Sequence, residues 1–545
     1  MTHTAPGASA SVAVPPVFFR RVTYDSGGQN AWSIAVADVN GDGKPDMVVV
    51  DYGSRVGVLL GKGNGSFQPV VSYYSGGGGA TSIAVGDLNK DGKLDLVVVN
   101  QGCPAINCLG VLLGNGDGTF QPVVIYDRGG TGGGIPGMGV PIFIADVSGD
   151  GKPDLVVANA TGTNGVDGVV GVLIGNGDGT FQPVVPYDAG GYGTSSAVAA
   201  DVNGDGKLDV VVANCGGSVF YCPPTTTTVG VLLGNGNGTF QAVKTYSREA
   251  WGSLADPLVV ADVNGDGKVD IVVGNQCPQE NGNCVGDASI EVLLGNGDGT
   301  FRGATTYDSG GNATFSVTVA DLNGDGKPDL AVANNYGTGV LLGNGDGTFQ
   351  PAETYAGGGC CQVLVADVNL DGRPDLLGVG STSQTVSVLL GTGDGTFEAA
   401  QTLGLGGSEF SWLAVADVNK DGRPDLLAAN WCAKPCQGQE GTVSVLLNIR
   451  PTTKTVLSTS GSPSHFGQPV TFTATVTSNH GPIPDGELVK FYDGTKFLAS
   501  APLTGGVTAY TTSTLSVATH TIKARYMGDA FFKPSTGKVS QVVVP

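Results

Sequence analysis

A nine-residue pattern that recurs eight times limits what this chain can fold into more than any other feature. It places Asp at positions one, five and nine, Asn or Ser at three and Gly at six, and begins at Asp38, Asp87, Asp146, Asp201, Asp262, Asp321, Asp367 and Asp417. The first copy, Asp38-Val39-Asn40-Gly41-Asp42-Gly43-Lys44-Pro45-Asp46, lies between Ile34-Ala35-Val36-Ala37 and Met47-Val48-Val49-Val50. Short β-branched runs of this kind read as strands, so each copy joins the two strands of a hairpin. A spacing of 46 to 61 residues between copies signals a repeat architecture.

Asp, Asn and Gly also make good turns without any ion. A turn, however, has no need of three carboxylates, which repel one another unless a cation lies among them. The acids persist while the fourth position drifts (Gly41, Lys90, Leu370, Lys420). Ca²⁺ takes six to eight oxygens at ~2.3–2.6 Å from carboxylates, amides, carbonyls and water. The expected ligands are the side chains of positions one, three, five and nine and the carbonyl of seven, whose side chain points to solvent. They are Asp38, Asn40, Asp42, Lys44 and Asp46; Asp87, Asn89, Asp91, Lys93 and Asp95; Asp146, Ser148, Asp150, Lys152 and Asp154; Asp201, Asn203, Asp205, Lys207 and Asp209; Asp262, Asn264, Asp266, Lys268 and Asp270; Asp321, Asn323, Asp325, Lys327 and Asp329; Asp367, Asn369, Asp371, Arg373 and Asp375; and Asp417, Asn419, Asp421, Arg423 and Asp425. That makes about eight calcium sites. The third is expected to be weakest, because Ser148 is shorter than the Asn of the other seven. These are not EF-hands, which need a Glu at position twelve and flanking helices.

The formal charge of −21 argues against a nucleic-acid partner, which requires clustered Lys and Arg. Eight bound Ca²⁺ would leave about −5, so much of the acidity reads as ligand charge. No apolar run approaches the ~20 residues that span a bilayer. Residues 1–16 lack the basic start and apolar core of a secretory signal and are expected to form a disordered leader.

Each unit reads as four strands, in the first copy 33–39, 46–51, 55–60 and 67–73. The third and fourth are joined by Gly-Asn-Gly-Asp-Gly-Thr-Phe turns, as at 114–120, 175–181 and 295–301. Four strands per unit suit a propeller blade. The eighth unit stops after its third strand, 443–447, while an extra strand, 18–24, precedes the first. Pairing these two would close the ring and leave no open edges. The expected fold is thus all-β: an eight-bladed propeller closed by the N-terminal strand over residues 17–449, with seven blades plus a leftover unit as the alternative. This repeat resembles the FG-GAP/VCBS-type family, whose relatives include the integrin α-subunit propellers. The resemblance implies calcium in the loops between strands one and two.

From residue 450 the composition changes. Glycines thin out and Thr alternates with apolar residues, as in Val470-Thr471-Phe472-Thr473-Ala474-Thr475-Val476. Seven candidate strands suffice for a β-sandwich over 450–545. Stretches 489–494 and 520–529 resemble bacterial Ig-like repeats of surface proteins.

Strand parity puts the Asp loops and Gly turns at one end of every unit, here called the lower end, and the 2–3 and 4–1 connections at the other, upper end. All ten cysteines map to the upper end: Cys103/Cys108, Cys215/Cys222, Cys277/Cys284 and Cys432/Cys436 within 2–3 loops, Cys360-Cys361 in a 4–1 loop. Two thiols per loop make half a zinc site. Local disulfides are the better reading and imply a secreted or cell-surface protein. Tyr24-Asp25, Tyr126-Asp127, Tyr187-Asp188 and Tyr307-Asp308 recur in 4–1 loops, and with Trp32, Trp251, Trp412 and Trp431 they are either strand ends and turns or a ligand-binding rim. His3, His465, His480 and His520 all lie outside the repeats, so the repeats offer no imidazole base. The reading is a monomeric extracellular adhesion or recognition module for a carbohydrate or protein ligand. A polysaccharide-active enzyme using carboxylates, Tyr or Lys is the alternative.

Overall fold

The computed structural model describes residues 17, 19–103, 108–130, 142–161, 168–214, 227–248, 257–276, 279–280, 283–284, 286–335, 337–357, 360–380, 385–433, 440–479, 482–529 and 531–545. The chain forms two compact units, one spanning residues 21–447 apart from 369–371, the other built on Asn448–Pro545.

Strands begin and end where the sequence pattern changes. β1 is Phe19–Gln29, β2 Ala31–Ala37, β3 Asp46–Asp51, β4 Arg55–Leu59 and β5 Val71–Tyr74. β2 to β5 make an antiparallel sheet in sequence order, with Ile34↔Val49 and Val48↔Val58 in register. Its second strand is buried throughout, which explains why Met47-Val48-Val49-Val50 is continuous rather than alternating. The fourth strand starts later than the 67–73 expected. Phe67 instead bridges back to Gly61, closing the Gly turn, and Pro69 has no N–H to continue the ladder.

Eight such four-stranded sheets lie among the described residues. In the last, Gly407–Ala416, Asp425–Ala433 and Glu440–Asn448 are completed by β1, which pairs with Glu440–Asn448. β1 is longer than the 18–24 expected, and Phe18 lies outside the described residues.

Consecutive sheets share their cores. Val48, Val50, Val56 and Val58 of one meet Leu96, Val98 and Leu112 of the next, and the same pattern continues from sheet to sheet. A second device joins them. The Phe of each Gly turn lies edge-on against the fourth-strand Tyr before it, as in Tyr73–Phe120, Tyr126–Phe181, Tyr187–Phe240 and Tyr307–Phe349 at 5.4–5.5 Å.

The C-terminal unit holds a three-stranded and a five-stranded sheet. The Thr alternation is its core pattern: Val470, Phe472, Ala474 and Val476 are buried while the threonines between them are not.

Candidate metal loops and the opposite rim

The eight Asp loops share one hydrogen-bond pattern. Position one accepts the amide of position six through Oδ2 at 2.7–2.9 Å in all of them, as Gly43 N–H does to Asp38. The Asn at position three accepts the amide of position five, as Asp42 N–H does to Asn40 at 2.9 Å. Asp42 Oδ1 in turn accepts Lys44 N–H at 2.9 Å. Three side-chain oxygens are therefore folded inward over the loop amides. Position four requires a left-handed backbone, φ 59–75°, supplied by Gly in five loops and by Lys90, Leu370 and Lys420 in the others. The drift seen there in the sequence hid a conformational demand.

Position nine does a different job. Asp46, Asp95, Asp154, Asp209, Asp270, Asp329, Asp375 and Asp425 are fully buried. In every loop Oδ2 accepts the amide of position two at 2.8–3.1 Å. In seven, Oδ1 accepts the first Gly amide of the following turn at 2.7–2.9 Å, as Gly61 N–H does to Asp46. This carboxylate clamps the Asp loop to the Gly turn. Burial raises the pKa of Asp46, Asp95 and Asp209 against the lowering effect of those amides.

The position-seven side chain does not simply extend into solvent. Lys44 lies across Gly63 of its own turn and pairs with Asp42 Oδ2 at 2.7 Å. Lys93, Lys152 and Lys207 reach Asp91, Asp150 and Asp205 at 3.0–3.2 Å. Hydrogen bonding from Lys44 holds the exposed Asp42 below the usual carboxylate range. In the third loop Ser148 Oγ donates to Asp146 at 3.3 Å and Ser148 N–H to Asp154 at 2.9 Å.

The donors fit a hard cation in kind, being all oxygen. A carboxylate oxygen that accepts one N–H keeps a lone pair for an ion. Among the described residues no three His, Cys, Asp or Glu side chains converge as a ready-made metal cluster. Positions one, three and five are gathered, and nine is held on its own amides.

Tyr126, Tyr187 and Tyr307, expected at the upper end, are instead the rings already placed between sheets against the Phe of the Gly turns, and Tyr24 meets Phe67 in the same way at 5.5 Å. Their Asp neighbours cap turns: Asp25, Asp127, Asp188 and Asp308 accept the amides of Gly27, Gly129, Gly190 and Gly310 at 2.8–2.9 Å. Both halves of the Tyr-Asp pattern have structural work. Cys103 and Cys108 form a disulfide within their 2–3 loop. The Cys215/Cys222, Cys277/Cys284, Cys360-Cys361 and Cys432/Cys436 side chains, and Trp251, lie outside the described residues, and Trp412 is half-buried on its strand.

Two of the tryptophans do meet. Trp32, Tyr52 and Trp431 form a cluster with ring centroids 5.1–5.9 Å apart, bringing the first sheet against the last. Trp32 is 4 % exposed, and its indole N–H has no hydrogen-bond partner. Asn30 Oδ1 and Asp51 Oδ2, at the same end of the same sheet, are also buried and unpaired. Asp51 Oδ1 accepts the Ser26 hydroxyl at 2.6 Å. Burial pushes its carboxyl up to about 7, Asp25 adding to the rise and Ser26 opposing it. Tyr52 and Asp51 were not singled out from the sequence. The signal available was Asp51 itself, which stands where Asn100, Asn159, Asn214, Asn275, Asn334 and Asn430 occupy the matching strand end.

Sheets repeated in this way, each with an Asp loop and seven of the eight with a Gly turn at the same end, define an all-β repeat protein. The chain belongs to the FG-GAP-like repeat family, matched over residues 38–98, 146–212, 219–273, 283–332, 321–378 and 367–428. Residues 457–544 match the bacterial Ig-like domain, group 3. No curated protein matches the chain. Solved structures with a related trace include an Agrocybe aegerita lectin, described as specifically recognising non-reducing terminal N-acetylglucosamine, at 23% identity over 62% of this chain and 90% of that one, TM-score 0.39. The V. cholerae biofilm matrix protein Bap1 matches at 14% identity over 77% and 88%, TM-score 0.38. Both likenesses are loose. Among the described residues no helix is long and apolar enough to cross a membrane.

Proposed function

We propose that the eight sheets are blades of one closed ring, that each Asp loop holds a Ca²⁺ ion, and that the chain is a monomeric extracytoplasmic recognition module taking a carbohydrate on the upper rim. Closure is supported by contacts that repeat across the seam between last and first sheets. Gly65 approaches Leu447 as Gly118 approaches Leu60 and Gly179 approaches Leu113. Calcium is supported by the inward oxygens of positions one, three and five, with the spare lone pairs of nine completing the set beside the carbonyl of seven. An extracytoplasmic setting is supported by the Cys103–Cys108 bond.

The observation that carries the ligand reading is the Trp32–Tyr52–Trp431 cluster with its unpaired Trp32 N–H. A buried polar atom without a partner is costly and needs an explanation. A rim shaped for a ligand rather than for stability supplies one. The half-buried rings of Tyr52 and Trp431 offer faces on which the C–H groups of a sugar stack, while its hydroxyls both donate and accept. An extracellular protein would meet the rings but rarely offers so dense a set of hydroxyls. Glycan and matrix-protein arrays, probed with the wild-type chain and Trp431→Ala in calcium, test this reading. Glycan signal lost in the variant is expected, and a variant that binds the same glycans equally well overturns it.

A further inference from the structure

The C-terminal domain differs in charge from the rest of the chain. Residues 450–545 hold eight Lys and Arg against four Asp and Glu, a formal +4 in a chain whose total is −21. Four of these cations share one outward face of the five-stranded sheet. Val489, Phe491, Ile522 and Ala524 point into the core, so by strand alternation Lys490, Tyr492, Lys523 and Arg525 point out. Pairing sets Lys490 opposite Arg525 and Lys523 opposite both Tyr492 and Lys538. Like charges directly opposite one another on a sheet are destabilising, and here they come in two adjacent pairs. Among the described residues of this domain the acidic partner of an ion pair is Asp493, held by His520 at 2.7 Å, and none of the four cations pairs with a described carboxylate.

The same face is hollowed. A cavity of about 600 Å³ opens on it, with Tyr492, Lys523, Arg525 and Lys538 on its walls and Ser535 and Thr536 beside them. Tyr492 stands 5.7 Å from Phe497, centroid to centroid, and Phe497 is 53 % exposed. Uncompensated charge, a concavity, hydroxyls and exposed rings thus coincide on one surface.

We propose that this face binds an acidic polysaccharide. The ammonium and guanidinium groups take the carboxylates or sulfates of successive sugar residues, and Tyr492 and Phe497 lie against pyranose C–H faces. Tyr492 and Phe497 favour a sugar over a bare phosphate backbone, and duplex DNA is the rival that the test below separates. Every residue of this face belongs to the C-terminal domain, so the proposal does not rest on the rim reading.

The test uses the full-length chain in calcium, with dextran sulfate and a soluble polyuronate as probes and uncharged dextran as control. Binding of at least one acidic probe, weakened by salt, with none of dextran, is expected. Lys523→Gln/Lys538→Gln is expected to lower affinity ~10-fold, or ~1.4 kcal/mol. It is also expected to raise the domain's melting temperature, because one repulsive pair is gone. Lys538→Gln alone provides a milder variant should the double one fold poorly, and is expected to show a smaller loss. Trp431→Ala is expected to leave this binding untouched, which separates it from the rim reading. No preference for acidic probes, unchanged affinity in well-folded charge variants, or equal binding of duplex DNA or anionic lipid vesicles would overturn the proposal.

Discussion

Replacing Asp51 by Asn is expected to stabilise the protein. In the second repeat the matching Asn100 donates from Nδ2 to Ser75 O at 2.9 Å and accepts the Ser75 hydroxyl at 2.8 Å. In the sixth, Asn334 does the same with Ser309 at 2.7 and 3.1 Å. Ser26 holds the equivalent place beside Asp51, but an ionised carboxylate has no proton to donate, and Oδ2 is left buried and unpaired. The folded chain holds the Asp51 proton up to about pH 7, whereas an unfolded Asp releases it near ~3.9. Stability from this group is therefore fully present below ~pH 4 and is lost as pH rises through about 7.

About three pK units at ~1.36 kcal/mol each amount to ~4 kcal/mol at pH 8, falling to ~1–2 kcal/mol at pH 5. For a cooperative unit of roughly 430 residues, with ΔS near ~0.9 kcal/mol/K, ~4 kcal/mol corresponds to ~4 °C. Scanning calorimetry of wild type and Asp51→Asn, without ligand and in calcium, reads this difference. A gain at pH 8 that shrinks at pH 5 is expected, with Asn100→Asp showing the reverse. An equal melting temperature at pH 8, or a gain independent of pH, refutes the reasoning.

If calcium fills the Asp loops at a Kd of ~0.1–1 mM, each site adds ~0.4–1.4 kcal/mol at millimolar calcium. EDTA is then expected to lower the melting temperature of the repeat unit by several degrees and leave the Ig-like domain unchanged, as resolved by calorimetry. Asp95→Ala strips the partner from Leu88 N–H and Gly114 N–H and is expected to cost ~2–6 kcal/mol. Asp117→Ala, which loses bonds to exposed Thr119, is expected to cost under ~1.5 kcal/mol in denaturant unfolding. Arg248 Nε pairs with Glu291 at 3.1 Å, both fully buried, and its guanidinium also meets Asn275. Glu291→Gln is expected to cost ~3–5 kcal/mol. The double change Arg248→Ser/Glu291→Gly, which restores the Ser75/Gly110 arrangement, is expected to fall within ~1.5 kcal/mol of wild type, a coupling that a double-mutant cycle measures.

The repeat and its loops were legible because they obey local rules. Period-two and all-apolar strands, Gly at forced backbone angles and Asp at hydrogen-bonding positions are each visible within a dozen residues. What the sequence concealed depends on partners far away in the chain. Nothing near Asp46 reveals that its second oxygen serves Gly61. Nothing near Tyr126 reveals that Phe181 of the next repeat covers it. The meeting of Trp32 and Trp431 depends on the first and last sheets lying together, a relation that strand patterning does not express. The cationic face was hidden for a related reason. Lys490, Lys523, Arg525 and Lys538 are scattered in sequence and become neighbours only through strand register.

The two ends of the sheets answer to different constraints, and this bears on how many ligands the rim takes. At the lower end one geometry is repeated, with carboxylate clamp, Lys over Gly and Phe against Tyr, because each contact joins neighbouring sheets and a departure would open a seam. At the upper end the position held by Trp32 in the first repeat is Thr81, Ser195 and Phe315 in others. The Gly57 position becomes Glu291 in the fifth, where Arg248 neutralises it. Eight identical rims would bind eight ligands weakly and gain strength by avidity. Rims that differ from repeat to repeat cannot, because the three-ring cluster needs Trp32 and Tyr52 from one sheet and Trp431 from another. The seam between the first and last sheets supplies that combination once per chain. If the rim takes a glycan as proposed, the expected stoichiometry, read by titration calorimetry, is one glycan per chain, and a larger number would refute the assignment to this cluster.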